Sequence, residues 1–207
     1  MTTQPTPAPK PEKSRLLHDG RDMFWSMAPL VLVCIVLAGV LGMCSFQAGG
    51  PGPGPAPEYD AKAGLQADAD ALKIPIRAPQ LPEGWQPNSG GRGGIDDGVA
   101  LPDGQRGRAV FSRVGYLTPS GAYMSLTQSN ADETALISSI KPETYPSGTQ
   151  DVDGVTWVVY EGTDPEAVWT TRLAGPAQVA ITGAGGTDEY RTLAKATQLQ
   201  SPLPVKR

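Results

Sequence analysis

The side chains able to do chemistry in this chain are carboxylates, hydroxyls, lysines and arginines, because imidazole and thiol groups are nearly missing. The sequence holds one histidine, His18, and two cysteines, Cys34 and Cys44. Residues 47–207 hold neither type. From their own side chains they cannot assemble a Ser-His-Asp triad, a Cys-His dyad, a histidine or thiolate zinc site, or a disulfide. Asp96, Asp97, Asp132, Glu133, Asp151, Asp153, Glu161 and Asp164 supply carboxylates. Two of them about 5–9 Å apart in a groove would suit glycoside hydrolysis. Nearly all of them, however, fall at expected turns or helix caps, where acidic residues have ordinary structural work. A Ser–Lys pair is formally available through Lys141 or Lys195, both expected at or in exposed helices. The sequence thus predicts no catalytic residue, no metal site and no cofactor.

Two further patterns carry chemistry of a weaker kind. Residues 89–98, SGGRGGIDDG, are rich in glycine. Such a loop can cradle phosphate where it joins a strand to a helix N-terminus. No Lys-Ser or Lys-Thr follows and the next element reads as a strand, so a flexible surface loop is expected. Asp96 and Asp97 lack the alternating oxygen ligands of a calcium loop. The second pattern is Arg113, Tyr116, Tyr123 and Gln128, on two strands of one expected hairpin. These four are the candidate binding residues. The bland reading of Arg113 is a solvated face or a structural ion pair.

The elements that must position these groups follow from composition and period. Residues 23–46 are uncharged and almost wholly apolar. Over 20 residues at 1.5 Å each, a helix there reaches roughly 30 Å, the thickness of a bilayer's hydrocarbon core. Lys10, Lys13, Arg15 and Arg21 precede it, and no Lys or Arg follows until Lys62. That asymmetry predicts a single-pass cell-membrane protein with a cytoplasmic N-terminus and an extracytoplasmic C-terminal domain. The rivals are a cleaved signal segment and lipidation at Cys44, and both stay open. The apolar run is long for a signal and lacks a small-residue cleavage site. Met43 stands where a lipidated cysteine would want a small neighbour. Before the span, residues 1–22 read as a disordered tail; after it, residues 47–57 alternate Gly and Pro as a linker.

Residues 58–200 read as one domain, with 201–207 a loose tail. A weak helical approach over 58–72 leads to a short edge strand at 74–77. Leu81-Pro-Glu-Gly84 is a turn, with Trp85 docking on the core. A strand over 106–117 and its return over 122–128 flank Thr118-Pro-Ser-Gly121, a type I turn by composition. Asn130 is expected to cap a helix whose buried stripe is Leu136, Ile137 and Ile140, ended by Pro142. Asp151-Val-Asp-Gly154 is a turn. Strands at 155–161, 167–173 and 178–182 form a meander with Trp157 and Trp169 on a core face. Thr187 caps a last helix running to about Leu199, with Tyr190, Leu193, Ala194 and Thr197 inward. The pattern is α+β: an N-terminal transmembrane helix, then an antiparallel sheet with two packed helices.

The apolar span with its Gly/Pro linker, LPEGWQPNS at 81–89, VGYLTPSGAY at 114–123, QSNA at 128–131 and DGVTWVVYEG at 153–162 together resemble an actinobacterial family of single-span proteins. The outer part of that family is a domain of unknown function. The resemblance covers most of residues 15–200 and implies no catalytic residue at any position here. The topology is also similar to the Mog1/PsbP-like sandwich, a fold used mainly for binding and assembly, which is analogy alone. The expected role is a cell-envelope binding or assembly module with a possible envelope protein partner and the membrane itself. The alternatives are a carboxylate-dependent envelope hydrolase and a structural partner acting through the span. The chain's net charge of −4, without a basic cluster beyond the span, argues against nucleic acid.

Overall fold

The computed structural model describes residues 19–40, 58–173 and 175–206. The chain divides into two compact units, Met1–Gly54 and Pro55–Arg207. The first unit contains helix α1, Asp19–Val40. Pro29 lies inside it. From Met23 to Leu37 nearly every side chain is exposed, including Phe24, Trp25, Leu30, Leu32 and Ile35. Among the described residues no helix is long and apolar enough to cross a membrane. Residues 41–46 of the expected span, Cys44, the linker and most of the tail lie outside the described residues.

The second unit is an α+β domain around one seven-stranded antiparallel sheet. Its strands are β1 (Gln86–Ala100), β2 (Arg106–Leu117), β3 (Tyr123–Ser129), β4 (Tyr145–Val152), β5 (Val155–Glu161), β6 (Val168–Arg172) and β7 (Gln178–Gly183). Three helices accompany them: α2 (Ala61–Leu72), α3 (Glu133–Ile140) and α4 (Thr187–Gln198). The sheet order β1-β2-β3-β7-β6-β5-β4 contains two consecutive meanders. They meet at a single non-local pairing, β3 with β7.

Strand side chains alternate between faces, so each face has its own core. On one face Val114, Tyr116, Met124, Leu126, Trp157, Trp169 and Ile181 pack with Leu65 and Ala69 of α2 and with Tyr190, Leu193 and Ala194 of α4. The other face has a smaller cluster, where Ile95, Ala109, Val168 and Ala180 meet Leu136 and Ile137 of α3. The β2–β3 hairpin, the β5–β6–β7 meander, the docking of Trp85 and the inward stripe of α4 match the sequence reading.

Several expectations change, each for a physical reason. Residues 89–98 are part of edge strand β1 and not a loop. The glycines there make room for side chains that cross the backbone. A Cβ on Gly90 would collide with the Tyr59 ring and one on Gly94 with the Arg108 guanidinium, while one on Gly93 would come within 2.7 Å of the Phe111 ring. Large rings laid over strand glycines replace the packing that the glycines lack. Residues 74–77 are extended but form no strand. Their backbone bonds go elsewhere: the Arg77 N–H donates to Gln128 Oε1 (2.8 Å), Gln128 Nε2 donates back to the Arg77 carbonyl (2.8 Å), and the Leu203 N–H donates to the Ile76 carbonyl (2.7 Å).

Asn130 does not cap α3. Its Oδ1 accepts from the Val110 N–H (2.8 Å), and the cap position is Asp132. At α4 the cap is Gly186, whose N–H donates to Glu189 Oε2 (2.8 Å). Strand β4 escapes the sequence reading because Pro146 and Gly148 interrupt it and its side chains are mostly exposed. Asp153 (φ 48°) and Gly154 (φ 84°) turn it into β5 as a two-residue hairpin, the geometry an Asp-Gly pair favours. The C-terminal tail is not loose. Gln66 Nε2 donates to the Pro204 carbonyl (2.7 Å), Lys73 Nζ to the Lys206 carbonyl (2.6 Å), and the Lys206 N–H to Asp70 Oδ1 (2.8 Å). The tail is thereby strapped along α2.

Candidate functional site

The period of two in β2 and β3 separates the four candidate binding residues. Tyr116 and Gln128 point into the large core. Tyr116 is 2 % exposed, its hydroxyl has no hydrogen-bond partner, and burial pushes its pKa up. Gln128 is buried and spends its amide on Arg77. Both are structural. Arg113 and Tyr123 lie on the other face, where α3 covers only part of the sheet.

There the two residues line a pair of adjoining cavities. One, of about 310 Å³, is bounded by Arg113, Tyr123, Ser125, Lys141, Glu166 and Thr182, with Asp164 and Ile140 at its margin. The second, of about 240 Å³, runs toward the sheet edge over Gly91, Phe111 and Gly115. Glycine makes this floor low. A Cβ on Gly115 would strike the Tyr123 hydroxyl, and the space above Gly91 is open.

Each wall of the groove has a local cause. Arg113 Nε donates to Thr127 Oγ1 (3.0 Å), and its guanidinium lies over the Phe111 ring, 5.3 Å from the centroid. Among the described residues no carboxylate pairs with it. A cation held over a ring keeps its outward donors available. Ser125 sits opposite Gly115 on β2 and Thr182 on β7. It is 3 % exposed, and its Oγ has no hydrogen-bond partner. Lys141, expected to be exposed, has a side chain only 15 % exposed. Its Nζ donates to the Glu166 carbonyl (2.6 Å) and lies 3.5 Å from Asp164 Oδ2. An ammonium engaged this way is not free to activate a serine.

The carboxylates considered for catalysis are mostly occupied. Asp132 pairs with Arg106 (2.5 Å), Asp96 with Arg108 (3.6 Å) and Asp153 with Lys195 (2.8 Å). Asp151 Oδ1 accepts from the Gly154 N–H (3.2 Å). Glu133 accepts from the Tyr160 hydroxyl (2.8 Å), whose pKa is pushed up to about 12 by burial first and this bond second. On the opposite side of the sheet, Glu161 and Glu166 line a cavity of about 420 Å³ beside Trp169, Gly185 and Tyr190. Both glutamates are exposed, so water competes with any contact they make. Among the described residues no cluster of three or more His, Cys, Asp or Glu could hold a metal ion.

Sequence reasoning missed Ser125 and Lys141 as groove residues. The alternation of the return strand, which puts Ser125 on the face of Tyr123 and away from Met124 and Leu126, was a signal for Ser125. Nothing in the local sequence places Lys141 or Glu166, because a loop and a helix end bring them in.

A seven-stranded antiparallel sheet with helices on both faces defines an α+β domain. The family described as a protein of unknown function, DUF4245, matches residues 15–197. The chain belongs to that family. No curated protein and no solved structure matches it.

Proposed function

We propose that this chain is a single-span envelope protein whose outer domain binds a partner or ligand through the Arg113–Tyr123 groove. In this reading the apolar segment 23–46 crosses the cell membrane with the N-terminus in the cytoplasm. Support comes from a helix whose apolar side chains are exposed on every side, which needs lipid or a large core around it. Further support is the stop in positive charge between Arg21 and Lys62. The family match begins at residue 15, so the apolar segment falls inside the family's own matched region.

The binding reading rests on one observation: an arginine without a carboxylate partner and a buried hydroxyl without a hydrogen bond share a groove on the less covered face. Hydrolysis is not proposed, because the carboxylates are either paired or exposed. A photo-crosslinking residue at position 123, on intact cells, tests the groove; position 145, on the far edge strand, is the control. Adducts from 123 and not 145 are expected. Equal yields from both positions would move the function out of the groove. A reporter active only outside the cytoplasm, fused after Arg207, should be active; an inactive reporter would reverse the orientation.

A further inference from the structure

We propose that the groove takes a carboxylate group, held by Arg113 and Ser125, on a small polar molecule; this rests on the reading of the groove as a binding site. Arg113 stands opposite Thr127 and Ser125 opposite Gly115. The two are therefore diagonal neighbours on one face, about 7–8 Å apart at the backbone, and both line the same cavity. Arg113 spends Nε on Thr127 and rests over the Phe111 ring, which leaves the two outer nitrogens as a preformed fork for two oxygens. Ser125 Oγ is buried and without a partner in the same cavity. Buried polar groups are rarely left unbonded, and each such case calls for an explanation. A ligand oxygen supplies one.

The surrounding charges select the kind of anion. Lys141 is already matched by Asp164 at 3.5 Å. Arg113 is then the lining cation without a carboxylate partner among the described residues. A monoanion on the fork matches that one cation, while a dianion brings a second charge toward Asp164. Like charges facing each other across a site are the usual device for excluding the wrong partner. Carboxylate is thus favoured over phosphate. The body of the molecule lies over the glycine floor at Gly91, where the second cavity is open.

The test uses the full chain in lipid nanodiscs and calorimetric titration with three probes: N-acetylglycine, its neutral amide, and inorganic phosphate. N-acetylglycine should bind saturably, phosphate more weakly, and the amide not at all. Arg113→Gln should weaken N-acetylglycine by about tenfold or more, since a charge-assisted pair is lost. Arg113→Lys should recover part of that, and Ser125→Ala should cost about threefold to tenfold. Circular dichroism separates these losses from misfolding. Asp164→Asn should narrow the preference over phosphate. Tighter binding of phosphate than of N-acetylglycine, with the same variant losses, overturns the carboxylate assignment and leaves the groove as the site. No binding of any probe by a folded protein also overturns it, and the crosslinks from position 123 then decide independently whether the groove binds anything.

Discussion

The two faces of the sheet are built from the same strands and do opposite things. Along β2 and β3, Val114, Tyr116, Met124 and Leu126 fill the face under α2 and α4. Their immediate neighbours Arg113, Gly115, Ser125 and Thr127 face the other way. The first face is closed by two helices and holds the larger apolar cluster, with Gln128–Arg77 and Ser112–Asp68 among its buried polar contacts. The second is covered by the eight-residue α3, has a smaller apolar cluster and carries buried polar groups as well. Thr170 Oγ1 donates to the Val179 carbonyl and accepts from Gln178 Nε2, both at 2.8 Å. Ser129 Oγ donates to the Val110 carbonyl (2.7 Å). Side-chain parity thus divides the domain: one face supplies the larger core, and the other keeps a smaller core beside an open polar groove.

The largest expected effect breaks the closed face. Trp157 is fully buried there, with Nε1 donating to Gln198 Oε1 (3.1 Å). Trp157→Ala should cost about 3–5 kcal/mol, read as a lower denaturant midpoint. A cost under about 1 kcal/mol would mean that this face is not the main core.

An intermediate effect comes from pH. Burial pushes the Tyr190 hydroxyl up to about 12 and raises Tyr116 as well. Above pH 10 the unfolded tyrosines release protons that the folded ones keep, so stability present below pH 10 falls as pH rises toward 12. Tyr190 also donates to the Ala167 (2.6 Å) and Gly183 (2.9 Å) carbonyls. Tyr190→Phe should therefore be less stable at neutral pH and lose less between pH 10 and 12. Parallel curves for the two proteins would show that Tyr190 plays no part in the alkaline loss.

The smallest effect on stability, and the sharpest contrast, belongs to the open face. Arg113→Gln and Tyr123→Ala remove exposed or half-exposed groups and should shift stability by no more than about 1 kcal/mol. Losses as large as that of Trp157→Ala would show the open face to be a second core and would remove the division drawn above.

The sequence made the hairpin and the meander legible because their strands carry a period of two or a β-branched run, bounded by Gly and Asp turns. It also placed the inward stripe of α4. It hid β1 and β4, the two edges, where Gly and Pro stand in place of alternation and the stabilising partners come from distant residues such as Tyr59 and Phe111. At the site, residue type picked out Arg113 and Tyr123 but could not tell them from Tyr116 and Gln128. That choice depends on strand parity relative to a core, and parity has no meaning until the helices are in place. Ser125 shows its character only through the bond it does not make.

The seam between β3 and β7 has a kinetic consequence. Within each meander, pairing joins neighbours in the chain, whereas the seam joins Ser129 to Gln178 and Met124 to Gly183, closing a loop that costs entropy before it gains contacts. Ser125 and Thr182, both lining the groove, face each other across that seam. Half-folded chains, with each meander formed and the seam open, hold the groove's residues but not the groove. A ligand that binds there counts only completed molecules and draws the refolding equilibrium toward them by mass action.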